Sequence, residues 1–544
     1  MPVKWNPYIK AGAESWNKAF EKIGFKDVIC VKEFPKNDTL FNANSFDCMT
    51  IRYSASWLNS AQTTIHSDTR TGEILNASIL INANMISVQY ADRIGATVAI
   101  DPRVRTTVFP QEIQGELIQA AIAQAVGTGL GLTMNWGASC AYPVDSLRSA
   151  SFTQKYGLAS SVMGGVIIND VATEEDVRNG VCLVNTKPGP YDELVIKYLY
   201  QPIYASSLQE EKETLDSWIR EHTGDPYYAY IRNQSRFDSD PRNSRGSLGD
   251  DHLKSFDYML PNVRKGFENY YSWFAKEDRD FLMRRRVHSA LSERLSGRIY
   301  AILSYIGGIY LNDIREKDAI PSYSMVDREK QKAALSKALE LAKNLDWVDD
   351  TAHLNEFEIS DKKADRLRLD IFNGIFGRLP YVEVCTERFP DAAYTASEYL
   401  DDIYGIVWEG VLKHRPLENF DRALQTAFLE SIISTSTATA PIGSFKASKT
   451  GFAATGKPEI NLAALRNGGK VDMKMYSLQN AEEVAGFSSI PPIYTNQTKI
   501  AAYYFDLLMR TKDMLKKAIS TAPEADRSHY DLLIYRINKA TEIE

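Results

Sequence analysis

Histidine is scarce in this chain where a hydrolytic metal site needs it. There are seven His, at 66, 222, 252, 288, 353, 414 and 529, and none lies between 67 and 221. His66 alone cannot replace three converging donors, so it is read as a surface or packing residue. Cysteine is equally sparse. Cys30, Cys48, Cys140, Cys182 and Cys385 are far apart, odd in number and form no C-x-x-C, which argues against both a zinc knuckle and a disulfide framework. No apolar run reaches the length of a membrane span. A basic excess is also missing. Lys plus Arg number 63 against 70 acidic residues, a formal charge of -7, which argues against nucleic-acid binding. The opening MPVKWNPY has neither the charged nor the apolar region of a signal peptide, which taken literally means cytoplasmic. No phosphate loop, no nucleophile elbow around Ser160-Ser161 and no internal repeat is present.

What is present is ordinary globular material, 44% hydrophobic and 24% charged over 544 residues, enough for two or three domains. Residues 11–24 read as a helix, Val28–Val31 as a short β-branched run, and Cys48–Trp57 and Ile74–Ile81 as strands. A long helix starts near Pro110-Gln111, where proline costs little and Glu112 suits the first turn. Residues 190–206 read as another helix. The polar loop from Arg232 to Asp251 carries Asp238, Asp240, Asp250 and Asp251, a candidate calcium site. The plainer reading is a solvated loop ending in a helix N-cap at Gly249-Asp250. From 252 onward helical stripes dominate, including Val287, Leu291, Leu295, Ile299 and Leu303. Residues 431–444 read as a low-complexity loop, and 445–490 stay open.

The stretch from Gln124 to Asn135 organises the rest. It has the spacing H-E-x-x-H-x-x-G-x-x-H, in which two His on one helix face bind zinc and a Glu activates water. A Gly then turns the chain so that a third His reaches the metal. Here Gln124 and Thr128 stand at the helical ligand positions, Ala125 at the base, Gly131 at the turn and Met134 at the last ligand. Gly127, Gly129 and Gly131 make G-x-G-x-G, but at a helix end rather than after a strand, so a dinucleotide site fails on context. Gly129 is expected to loosen the helix end.

Around this stretch the chain resembles a family of large bacterial zinc-dependent metalloproteases with metzincin-like sites, which read roughly HEVGHTLGLRHN here. The matching pieces are Pro2–Asn6, Asp68–Leu75, Ala141–Ser146, Ser161–Met163, Leu248–Asp251, Tyr305–Gly308 and Glu329–Lys332, within about residues 2–435. Met163 is similar to the family's Met-turn methionine, and Gly164-Gly165 replace its Asp-Tyr. The resemblance implies an α+β fold. A zincin-like subdomain over 1–205, with a mixed sheet and an active-site helix, is followed by a helical subdomain over 206–435 and a mainly helical region over 436–544. It implies zinc, whose ligands are absent here, and a chain trimmed from a longer, exported protein, periplasmic or at the cell surface.

The expected function is therefore a pseudopeptidase that binds a peptide or protein without cutting it. Ile74, Leu75, Ala77 and Ile79 are the candidate edge strand of the cleft, able to pair with an extended peptide. Two alternatives stand beside this reading. One is a hydrolase with relocated chemistry, using groups such as Glu73 or Glu116. The other is a structural assembly subunit whose helical part makes the contacts.

Overall fold

The computed structural model describes residues 2–435 and 497–541, apart from 36, 39–40, 44, 47, 59–60, 232–238, 244–246, 313, 315–317, 319 and 354–361. The fold is α+β and mostly helical. The expected helix over 11–24 is two shorter ones, α1 (Asn6–Glu14) and α2 (Asn17–Glu21), and Val28–Val31 is coil. Three strands follow: β1 (Ile51–Ser54), β2 (Ala61–Ser67) and β3 (Ile74–Asn82). The chain then enters α3 (Ala83–Thr97) and α4 (Gln111–Gly129).

The sheet corrects one expectation. Its order is β1-β3-β2, with β3 parallel to β1 and antiparallel to β2. The strand of Ile74, Leu75, Ala77 and Ile79 is thus the central one, not the edge. Its composition explains why. Ala77, Ile79 and Ile81 are buried on one face while Asn76 and Asn82 are buried on the other, as in a strand flanked on both sides. The edges are β1 and β2, and the AQTTIHS of β2 alternates half-buried Ala61, Thr63 and Ile65 with exposed Gln62, Thr64 and His66.

Helix α4 is buried nearly all round, which is why it has no polar stripe. Ile113, Leu117 and Ala120 face the large helical core. Ile118, Ala121, Ile122 and Ala125 pack with Trp5, Ile9, Ile79 and Ile81 under the sheet. Ala123 meets a third cluster built on Trp16, Phe20 and Met163.

After α4 come α5 (Ala150–Tyr156), α6 (Glu174–Arg178), α7 (Pro190–Tyr200) and α8 (Leu208–Arg220). The helical region holds α9 (His252–Phe274), α10 (Leu282–Leu303), a hairpin of β4 (Ile309–Leu311) and β5 (Tyr323–Met325), and α11 (Arg328–Lys343). It continues with α12 (Lys363–Gly377), α13 (Leu379–Arg388), α14 (Ala396–Val407), α15 (Glu409–Leu412), α16 (Asn419–Thr435), α17 (Gln497–Ala518) and α18 (Glu524–Thr541). The stripe Val287, Leu291, Leu295, Ile299 and Leu303 is fully buried in one apolar cluster that runs from Ile94 to Ile537.

The helix cap expected at Gly249-Asp250 falls one residue later. Asp251 Oδ1 accepts from the amides of Leu253 and Lys254 at 3.0 and 3.2 Å and starts α9. Asp240 pairs with Arg242 and Asp250 accepts from the Val144 amide, while Asp238 lies outside the described residues. Residues 431–435 are helical rather than loop, and 436–490 lie outside the described residues.

Four of the family-like segments meet in space. The Gly249 and Asp250 amides donate to the carbonyls of Ser139 and Tyr142. The His252 amide donates to the Tyr305 hydroxyl, Gly307 N–H donates to Gln331 Oε1, and Lys330 pairs with Asp251. These segments therefore join the chain beyond α4 to the helical region.

Candidate functional site

The end of α4 builds the site. Gly131 has φ of +91°, the left-handed conformation that a side chain disfavours. The Leu132 amide reaches back to the Gly127 carbonyl at 3.0 Å and the Gly131 amide to that of Thr128 at 2.9 Å. This Schellman closure stops the helix and folds the chain back over its own face. The result is a contact: Gln124 Nε2 donates to Met134 Sδ at 3.0 Å. Thr128, one turn from Gln124, donates its hydroxyl to the Gln124 carbonyl at 3.3 Å. The turn thus brings the Gln124 and Met134 side chains into contact, with Thr128 one helical turn on from Gln124, and all three are half-buried. Ala125, at the base position, is only 5% exposed and sits in the apolar cluster under the sheet.

Close packing fixes the glycines. A Cβ at Gly127 would lie 2.5 Å from the Trp16 ring and 2.6 Å from Met163 Sδ. A Cβ at Gly129 would lie 3.2 Å from the Ala77 Cβ. Gly129 is helical and buried, so it lets the sheet approach the helix end rather than loosening it. Thr63 of β2 then bonds the Ala125 carbonyl at 2.9 Å, which sets the edge strand beside the helix. Of the four strand residues expected in the cleft, Ala77 faces Gly129, Ile74 faces Gly131, Ile79 lies in the core and Leu75 is exposed.

Met163 is fully buried under α4. Its carbonyl accepts from the Asn135 amide at 3.0 Å, tying its turn to the chain just past the site. Asp192, at the start of α7, holds that turn from below. Its carboxyl accepts from Ser161 Oγ, the Val162 amide and the Gly189 amide at 2.5, 2.9 and 2.9 Å. Sequence reasoning missed Asp192; an Asp two residues after a proline that opens a helix was the available signal. Burial, with no cation bonded to it among the described residues, pushes its carboxyl up to about 7, against these bonds.

A family model described as Met-zincin (DUF4953) matches residues 106–415, more than half of the chain. The chain belongs to the Met-zincin family. No curated protein and no solved structure matches it.

The other predicted groups of this Met-zincin lie apart from the helix end. Glu116 is on α4 two turns before Gln124, with Oε2 3.8 Å from the buried Arg93 guanidinium. Burial raises its pKa, and the nearby Arg93 and Arg103 oppose that. Glu73 is exposed at the start of β3. His66 points outward from β2 with its ring edge-on to Phe46 at 5.5 Å. Among the described residues, no group of three or more His, Cys, Asp or Glu is placed to hold a metal ion, and no helix is long and apolar enough to cross a membrane.

The Asp192 carboxyl gives a pH prediction. Its folded pKa near 7 exceeds the unfolded value of 3.8, so its contribution is fully present below about 3.8 and is lost as pH rises to about 7. The full shift corresponds to about 4 kcal/mol. Asp192→Asn stays neutral throughout. Its denaturation midpoint should therefore gain on the parent's as pH rises from 4 to 7. A constant difference between the two proteins across that range would refute the assignment.

Proposed function

We propose that this chain is a non-catalytic Met-zincin, a pseudopeptidase that holds an extended peptide or protein segment beside β2 without cleaving it. The contact between Gln124 and Met134 carries the reading. It closes two ligand positions onto each other with an amide and a thioether. Neither they nor the Thr128 hydroxyl fits a zinc ion, which takes imidazole, thiolate or carboxylate. Ala125 has no proton to transfer, and its place in the apolar cluster shields that position from water.

The binding half of the proposal rests on β2. Among the described residues no strand pairs with its outer edge, so its free amides and carbonyls suit strand addition. Phe46, 60% exposed, lies edge-on to His66 of β2, while Met49 and Trp57, 63 and 83% exposed, bracket β1 at the opposite edge of the sheet.

Elemental analysis of protein exposed to a slight excess of zinc and then dialysed tests the catalytic half. Less than about a tenth of an equivalent should remain, because a catalytic zinc needs three converging ligands. The same protein should enrich extended peptides from a random displayed library and release them intact. One equivalent of tightly held zinc, or cleaved peptides, would reject the proposal.

A further inference from the structure

The sheet has a second open edge, and its chemistry differs from that of β2. Strand β1 pairs with β3 on one side in unbroken register, and the Ile79 amide extends the ladder to the Thr50 carbonyl at 2.8 Å. Among the described residues no strand covers its other side. Open edges are normally guarded by lysine, proline or a bulge. From Met49 to Leu58 the sequence is MTIRYSASWL, with neither lysine nor proline and with Arg52 as its one charge. Arg52 turns back to its own chain: Nε donates to Thr50 Oγ1 at 3.0 Å and Nη2 donates to the Ala43 carbonyl.

Two large apolar side chains stand at the ends of this edge. Met49 and Trp57 are mostly in solvent. The Trp57 carbonyl accepts from Asn84 Nδ2 at 2.9 Å, so the indole projects from a fixed backbone. Between the two, the strand is anchored from beneath. Ile51 packs on the cluster under the sheet, and the Tyr53 ring lies edge-on to Trp5 at 5.7 Å.

The spacing says what fits this edge. Met49 and Trp57 each lie four residues from Tyr53. A closed pair of identical chains needs a surface that matches itself under a two-fold rotation. Antiparallel pairing of two β1 strands about Tyr53 has that property. It sets Tyr53 against its own copy, Arg52 against Ser54, Thr50 against Ser56, and Met49 against Trp57 at both ends. Each exposed end group then meets an apolar partner, thioether on indole. Neither arginine stands directly opposite another charge. A peptide of unrelated sequence has no such match.

We propose that two copies of this chain pair through β1. The two three-stranded sheets become one of six strands, and both β2 edges stay open at its outer ends. The pairing uses the edge opposite to β2 and does not depend on the peptide-holding reading.

Sedimentation equilibrium of the full chain from about 1 to about 200 µM tests the proposal. A short edge with one apolar contact at each end belongs to the weak class of interface, so a monomer–dimer equilibrium should fall within that range. Trp57→Asp places a carboxylate beside the Met49 of the second copy and should weaken the dimer about tenfold or more. Its thermal midpoint in dilute solution should match the parent's, because the indole it removes is 83% exposed. The register is read separately by diamide cross-linking in a background carrying Cys30→Ser and Cys48→Ser. Tyr53→Cys lies on the two-fold axis and should give a disulfide-linked dimer on a non-reducing gel, while Gln62→Cys on β2 should not. A monomer across the whole range would overturn the proposal and leave the edge to another molecule. An unchanged dimer in a folded Trp57→Asp variant, or equal cross-linking at positions 53 and 62, would overturn it as well.

Discussion

Asp170→Ala is expected to lower the stability of the fold by about 3–5 kcal/mol, read from the urea midpoint. Asp170 is fully buried, seven residues past Met163 in the same strand of chain. Its Oδ2 accepts from Arg294 Nε at 2.6 Å and Arg298 Nε at 2.8 Å, and its Oδ1 accepts from Arg298 Nη2. Both arginines belong to α10, the centre of the helical core. Burial would raise the Asp170 carboxyl, but the two guanidinium groups outweigh it and hold it below its ordinary value. Truncation removes the only side-chain anion bonded to Arg298 among the described residues, and Arg298 is itself 2% exposed. The loss then reflects an orphaned buried cation more than the worth of the pair. The double variant Asp170→Leu with Arg298→Met removes the two most buried of the three charges and leaves Arg294, whose side chain is 17% exposed, so it should recover much of the loss. If the double variant is as unstable as Asp170→Ala, the charge argument fails and shape alone matters.

What could be read in the sequence, in the fold and at the candidate helix end alike, is divided by whether local backbone chemistry or tertiary pairing sets it. Features set by local backbone chemistry were readable. Pro110 does precede the first residue of α4, and Gly131 does take the positive φ that its place in the spacing demands. The periodic stripe on α10 could be read because its residues are apolar. Features set by tertiary pairing were not. Helix α3 escaped notice because its buried side includes Gln89, Arg93 and Thr97. Arg93 reaches Asp101 at 2.8 Å inside the fold, so the helix hides its inner face behind polar residues. Strand β2 escaped for a related reason. Its seven residues hold only one large apolar side chain, Ile65, so a weak period-2 alternation was the one signal it offered. The apolar run of β3 drew attention as an edge, although an apolar run buried on two sides is the mark of a central strand.

Three substitutions at the end of α4, Gln124→His, Thr128→His and Met134→His, are expected to let the chain retain about one equivalent of zinc through dialysis, where the parent is expected to retain less than about a tenth. The geometry is favourable. Two nitrogens bound to one zinc at about 2.0–2.1 Å in a tetrahedron stand roughly 3.3 Å apart. The ends of the Gln124 and Met134 side chains already lie 3.0 Å apart. Position 128 is on the same helix face, one turn on from Gln124. Zinc should raise the thermal midpoint of this triple variant, because only the folded chain presents all three ligands. Adding Ala125→Glu should have the opposite effect without metal. Ala125 packs with Ile79, Ile118 and Ile122, so a carboxylate there loses its water and has no cation in reach until zinc binds. The apo quadruple variant should therefore be several kcal/mol less stable than the apo triple variant, and zinc should close most of that gap. The two variants separate the frame from its chemistry. If the triple variant folds yet keeps less than about a tenth of an equivalent, Gln124, Thr128 and Met134 are not the ligand positions, and the non-catalytic reading loses its basis. If it binds zinc and the quadruple variant shows no added instability, the base position is not sealed by the apolar cluster, and water would have access to the metal.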